Sequence, residues 1–193
     1  MESNKIIGGK IKNVRESKNM SVEEVAERSG MNKEQIERIE ENVEIPSLAP
    51  LIKIARVLGV RLGTFLDDQT ELGPVISRKK DYKDKNTIRF TDDAVVAHKH
   101  MEYHSLSQDK AGRHMEPFLV DIDSSEHADF ALSSHEGEEF IFVLAGSVEI
   151  SYGKEKYALE EGDSIYYDSI VAHHVHAKSG QTARILGIIY TPF

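Results

Sequence analysis

The sequence contains no cysteine, which excludes a disulfide framework and any thiolate metal site. No stretch approaches the ~20 apolar residues of a membrane-spanning helix. Met1 to Lys10 lacks the apolar run of a secretion signal, so the expectation is a soluble cytoplasmic protein without membrane contact. An excess of positive charge is missing too: the formal net charge is -9, which provides no overall attraction to nucleic acid or anionic lipid. Long internal repeats and low-complexity tracts are also lacking. The 193 residues suit one large domain or two small ones.

What is present divides into two parts. Residues 1–68 hold 11 of the 24 basic and 12 of the 33 acidic residues, and all nine histidines lie beyond them. Helical periodicity dominates the first part, whereas strand alternation with glycine turns dominates the second. The spacing predicts an α+β chain of two domains: residues 1–68, a linker over 69–91 that includes the polar Arg78 to Asn86, and a strand domain over 92–193.

Five short helices are expected in the first part. Ile7, Ile11 and Val14 give the first an apolar face. Ser21 with Glu24 and Asn32 with Gln35 have capping-box spacing and start the second and third, with Gly30 turning the chain between them. Ser47 can cap a fourth helix that ends at Gly59, and a last one runs from about Arg61 to Leu66. The residues Ser21 to Ala26, Gly30, Ile36 to Glu40, Pro46 to Leu48 and Ile54 to Val60 resemble the Cro/repressor-type helix-turn-helix family over residues 6–66. That resemblance implies a third helix in the DNA major groove, with Asn32, Lys33, Glu34, Glu37 and Arg38 as the DNA-binding residues. This helix is rich in glutamate. Lys10, Lys12, Arg15, Lys18 and Arg28 are the other nearby cations able to reach phosphates. A helical module repurposed for dimerisation or for covering the second domain is the alternative reading.

In the second part Val95-Val96-Ala97, Phe118-Leu119-Val120 and Phe140 to Leu144 have strand length, Val148 to Tyr152 alternates, and Gly146, Gly153, Gly162 and Gly180 mark turns. His135, Glu139 and Gly146, then Gly162 and His173, resemble the two motifs of the cupin superfamily over residues 92–193. The resemblance implies a β-barrel. Ser133 stands where that family has a further histidine, Asp168 and Ile170 replace a proline and a glycine, and Ala177 replaces an asparagine. His135, Glu139 and His173 are therefore the expected metal ligands, a two-histidine, one-carboxylate set that suits a divalent metal such as Fe(II). An empty barrel binding an organic ligand is the alternative. His174 and His176 alternate away from His173. Tyr103, Arg113 and His114 are candidates for a ligand pocket at the barrel mouth, with Arg113 able to clamp a carboxylate or phosphonate; an exposed hairpin is the plain alternative.

This domain order is similar to that of helix-turn-helix plus cupin transcriptional regulators. For them the resemblance implies a DNA operator, a small-molecule effector and a homodimer. It is similar too to the hydroxypropylphosphonate epoxidase family of mononuclear non-heme iron enzymes, in which the helical domain closes the active site. His135-x-Gly137-x-Glu139-Phe140 is close to that family's first motif, Tyr103 falls near an active-site tyrosine, and Lys18 lies one residue away from a functional lysine. The regulator is the preferred expectation and the enzyme the alternative.

Overall fold

The computed structural model describes residues 7–67, 71–81, 87–88, 101–124 and 132–192. The expected strand Val95 to Ala97, residues 69–70, 82–86 and 89–91 of the linker and the start of the second domain at 92 lie outside the described residues. Five α-helices come first: α1 (Ile7–Ser17), α2 (Val22–Ser29), α3 (Lys33–Glu40), α4 (Leu48–Leu58) and α5 (Gly63–Leu66). The side chain of Ser21 accepts from the Glu24 amide at 3.1 Å and that of Asn32 from the Gln35 amide at 2.7 Å. Each bond satisfies a donor that the first helical turn leaves free. Gly30 and Gly59 end α2 and α4 in the left-handed conformation.

Two expectations need correction. Ser47 precedes α4 but its side chain makes no capping bond; the third helical residue, Pro50, has no N–H to give. The last helix begins at Gly63, not Arg61.

Apolar side chains at helical spacing are buried together. Ile11, Ile36, Leu51 and Ile54 are fully buried, and truncating one such side chain to alanine typically costs ~2–5 kcal/mol.

The strands are β1 (Thr87–Ile88), β2 (Met101–Ser105), β3 (Met115–Ile122), β4 (Glu138–Ala145), β5 (Ser147–Tyr152), β6 (Glu155–Glu160), β7 (Ser164–Asp168), β8 (His173–Ala177) and β9 (Ala183–Tyr190). All pairings are antiparallel. One sheet has the order β1-β2-β3-β9-β4-β7 and the other β6-β5-β8. Among the described residues no strand ladder closes the two sheets into a barrel. An isolated bridge between Ser133 and His173 links the segment before β4 to β8. Inward residues of both sheets, including Ile141, Val143, Val148 and Ile150, join the buried helical residues in a continuous cluster.

The helical half is fastened to the sheets by an ion network. Arg113 Nη2 lies 2.5 Å from Asp67 Oδ2, and Arg113 Nε lies 2.8 Å from Glu116 Oε2, with all three side chains buried. Gly63 permits this approach, since a Cβ there would sit 2.6 Å from Arg113 Nη2. No helix among the described residues is long and apolar enough to cross a membrane.

Candidate metal centre and DNA-reading helix

His135, Glu139 and His173 come from three separate elements. Glu139 is the second residue of β4 and shares its inward face with Ile141 and Val143. His173 opens β8, where its backbone exchanges two 2.9 Å hydrogen bonds with Ser133. His135 sits in the segment leading to β4. Gly137 turns that segment at φ +109°, and a Cβ there would lie 2.1 Å from the Tyr190 carbonyl oxygen. This geometry requires glycine. The three ligand atoms fall within 4.8 Å of one another.

The hydrogen bonds around the triad favour one proton arrangement. His135 Nδ1 is 3.0 Å from the Glu136 carbonyl oxygen, and His173 Nδ1 is 2.8 Å from that of Val171. A carbonyl can only accept, so each Nδ1 carries a proton. Both Nε2 atoms then face Glu139 Oε1, at 2.8 Å and 3.3 Å. In neutral rings these nitrogens present lone pairs to a carboxylate, so the arrangement needs positive charge at that point, from protons or from a metal cation. The donor set fits a divalent metal: two imidazoles with outer N–H groups tied to carbonyls, and one carboxylate.

Burial pushes the Glu139 carboxyl up. The hydrogen bonds and charges of His135 and His173 outweigh burial and hold it well below the usual carboxylate range. Burial lowers His173, but the Glu139 hydrogen bond and charge leave it net raised.

The second oxygen of Glu139 accepts from Tyr167 Oη at 2.7 Å. Tyr167 is paired with Glu139 across β7 and β4, and its ring packs 5.1 Å from that of His173. Sequence reasoning missed this residue. The available signal was the alternation Ile165, Tyr167 within a strand that follows Gly162.

Above the triad lies a cavity of about 80 Å³ lined by Tyr103, Phe118, Ser133 and Ile141, and also by Leu48 and Ala49 of α4. The helical half thus contributes part of its wall. Tyr103 stands edge-on to Phe118, and burial, with the Glu139 charge added, pushes its phenol up. Arg113 and His114 are not among the described lining residues. Arg113 is engaged by Asp67 and Glu116, and His114 Nε2 lies 3.2 Å from Arg61 Nη2, so both sit at the junction between the halves. His174 and His176 stack on each other at 5.6 Å. His176 Nε2 approaches Glu149 Oε1 at 3.5 Å, whereas His174, expected to point away from the triad, lines the same cavity.

On the helical side, α3 presents Asn32, Lys33, Glu34 and Arg38 to solvent and Glu37 half-exposed. Its cations are paired within the chain. Lys33 Nζ is 2.7 Å from Glu23 Oε1 and 3.5 Å from Glu37 Oε1; Arg38 Nε is 3.1 Å from Glu44 Oε2. Arg28 pairs with Glu24, and Arg15 is buried against Glu40.

The helix-turn-helix family model matches residues 11–65 and the cupin domain model residues 120–189. The HTH-type transcriptional regulator SinR of Bacillus subtilis is 39% identical over 67 residues, which are 34% of this chain and 60% of SinR; the match thus spans less than two thirds of that relative. The (S)-2-hydroxypropylphosphonic acid epoxidase of Streptomyces wedmorensis is 28% identical over 156 residues, covering 74% of this chain and 73% of the enzyme. Among solved structures, an HTH_3 family transcriptional regulator from Vibrio cholerae superposes with TM-score 0.72 at 24% identity, over 99% of this chain and 98% of that one. The Fe(II) form of the epoxidase HppE with an alternative substrate gives 0.52 at 23% identity, over 97% and 98%. At these identities the two structures speak to fold alone.

Proposed function

From the premise of a chain that joins a helix-turn-helix domain to a cupin domain, we propose that this protein is a DNA-binding transcriptional regulator whose cupin part holds a divalent metal and senses a small molecule. The domains run over 1–68 and 92–193 with a linker between them, and the two sheets are the halves of a cupin barrel. His135, Glu139 and His173 hold the metal, and Tyr103 faces the effector. Asn32, Lys33, Glu34, Glu37 and Arg38 read an operator, with two copies of the chain placing two such helices on a two-fold site.

One observation carries the reading: the cavity above the triad is walled in part by Leu48 and Ala49, which open α4. A bound metal supplies a Lewis-acidic centre with open positions for an oxygen or nitrogen donor of the effector. An occupant that fits better with α4 in one position favours that position of the helical half, which is the differential affinity a linked equilibrium requires. The Arg113 network and the Arg56–Glu136 ion pair, 2.8 Å between helix and metal-bearing segment, transmit the same bias. On DNA, Lys33 and Arg38 exchange Glu23 and Glu44 for phosphates, while Asn32 and the glutamates face base edges.

To test the reading, full-length protein loaded anaerobically with Fe(II) is mixed with sheared DNA of its source organism, and the bound fraction is sequenced. Enrichment of sites sharing a two-fold motif is expected, and Asn32→Ala and Lys33→Ala should each weaken binding to such a site about tenfold. No enrichment with or without metal shifts the conclusion to the second reading, a mononuclear iron enzyme of the epoxidase type with the helical domain closing its site. That reading is supported by a relative that spans both halves together with the cluster of His135, Glu139 and His173 in this chain. Oxygen consumption with small phosphonates and carboxylates tests it.

A further inference from the structure

A second cavity, of about 120 Å³, lies where the helical half meets the segment that carries His135. His135 borders both cavities, whereas Tyr103 and Glu139 border only the one above the triad. Three cations line the second: Arg28 from the last turn of α2, and Lys53 and Arg56 from α4. Residues 53 and 56 stand three apart and so share a helix face. The sheet half contributes Ser134 and Glu136.

The charges around this cavity do not balance. Arg56 Nη1 lies 2.8 Å from Glu136 Oε1, and Arg28 Nη2 lies 2.5 Å from Glu24 Oε1. Lys53, half-buried, meets no carboxylate among the described residues. Glu136 is the one carboxylate among the described lining residues, and like charges gathered around one hollow repel each other. Both ion pairs are solvent-exposed, a kind that contributes little and exchanges readily. An arginine keeps further N–H donors in its planar fork after one bond to a carboxylate. Ser134 adds a hydroxyl donor, and Ile52 and Ile170 supply an apolar wall.

We infer that this cavity is a binding site for a phosphate-type dianion, free or carried by a small organic ester. The surplus charge of Lys53 and the two guanidinium forks match a doubly charged oxyanion; a monocarboxylate leaves part of that charge unmatched. On binding, the anion takes Arg56 from Glu136 and shares Arg28 with Glu24. The occupied site then ties α2 and α4 to the segment leading into β4 through several contacts instead of a single exposed ion pair. The site is separate from the effector cavity of the reading above, and it stands whether the chain is a regulator or an enzyme.

The experiment uses metal-free full-length protein, so that phosphate has no metal to bind. Calorimetric titration with inorganic phosphate at fixed ionic strength should show one site. Lys53→Gln should weaken binding about tenfold or more, with an unchanged circular dichroism spectrum. Glu136→Gln removes the competing carboxylate and should tighten binding a few-fold, a gain that a purely structural role of the Arg56–Glu136 pair does not produce. Lys33→Ala, on the exposed surface of α3, should change nothing. Glycerol phosphate binding more tightly than inorganic phosphate identifies the ester, seated against Ile52 and Ile170; weaker binding identifies the free ion. Equal affinity in wild type and Lys53→Gln, or no binding below about 10 mM, overturns the site. Weaker binding by Glu136→Gln overturns the exchange at Arg56 and the proposal with it.

Discussion

Glu40 in α3, against one arginine, and Glu139 in β4, between two histidines, are both carboxylates drawn from water, yet they have opposite consequences. Arg15 meets Glu40 with two bonds, Nε to Oε1 at 2.6 Å and Nη2 to Oε2 at 2.8 Å, and gives its remaining nitrogen to the Met20 carbonyl at 2.9 Å. The guanidinium is permanently charged and its planar fork matches the carboxylate, so the pair is complete and joins α1 to α3. Glu139 instead faces two imidazoles whose proton is replaceable. Its Oε1 faces both Nε2 atoms, an arrangement completed by positive charge from protons or from a cation. The same residue type therefore makes a structural clasp in the helical half and a candidate metal site in the sheet half, and the chemistry of the partner separates the two.

The largest effect that separates the two is loss of metal. Glu139→Ala should remove essentially all bound divalent metal, read by elemental analysis after anaerobic loading, while Glu40→Ala leaves metal content unchanged. Equal content in wild type and Glu139→Ala would remove the triad from consideration. Stability should respond in the reverse order: Glu40→Ala leaves Arg15 buried without its partner and should cost ~3–5 kcal/mol in urea unfolding. A smaller change comes from Tyr167→Phe, which deletes the hydrogen bond to Glu139 Oε2 with little change in packing. Outer-sphere losses of this kind lower metal affinity about 10–100-fold, measurable by competition with a chelator. The smallest concerns the exposed surface of α3, where Glu23→Gln frees Lys33 from its nearest carboxylate and should raise DNA affinity a few-fold at low salt. An unchanged salt dependence would mean that Lys33 does not reach phosphate.

Legibility followed the range of the interaction. The caps at Ser21 and Asn32 and the turn at Gly30 involve residues three or four apart, and the structure has them where the spacing puts them. Ser47 makes no side-chain cap, and Pro50 removes one of the two amides it could have met. The strands holding Phe118, Phe140 and Val148 and the four glycine turns were readable from alternation. The convergence of His135, Glu139 and His173 was expected from resemblance, and the structure adds the Nδ1 bonds that turn both Nε2 atoms inward. Tyr167 was not read: alternation could mark it as inward, but its role comes from a cross-strand partner 28 residues away. Arg113 was legible as a carboxylate-binding residue, but the carboxylates it meets are Asp67 and Glu116 of its own chain.

Residue order by itself thus determined the helices, the turns and the kinds of donor available for a metal, since these depend on backbone conformation and side-chain chemistry over a few positions. Only the tertiary structure decided that α4 walls the cavity above His135, Glu139 and His173, that Arg113 bonds Asp67 and Glu116 at the junction of the two halves, and that apolar residues from several strands share one outward face. These follow from packing between segments distant in the chain, where shape and burial select the partner and sequence spacing carries no record of the choice.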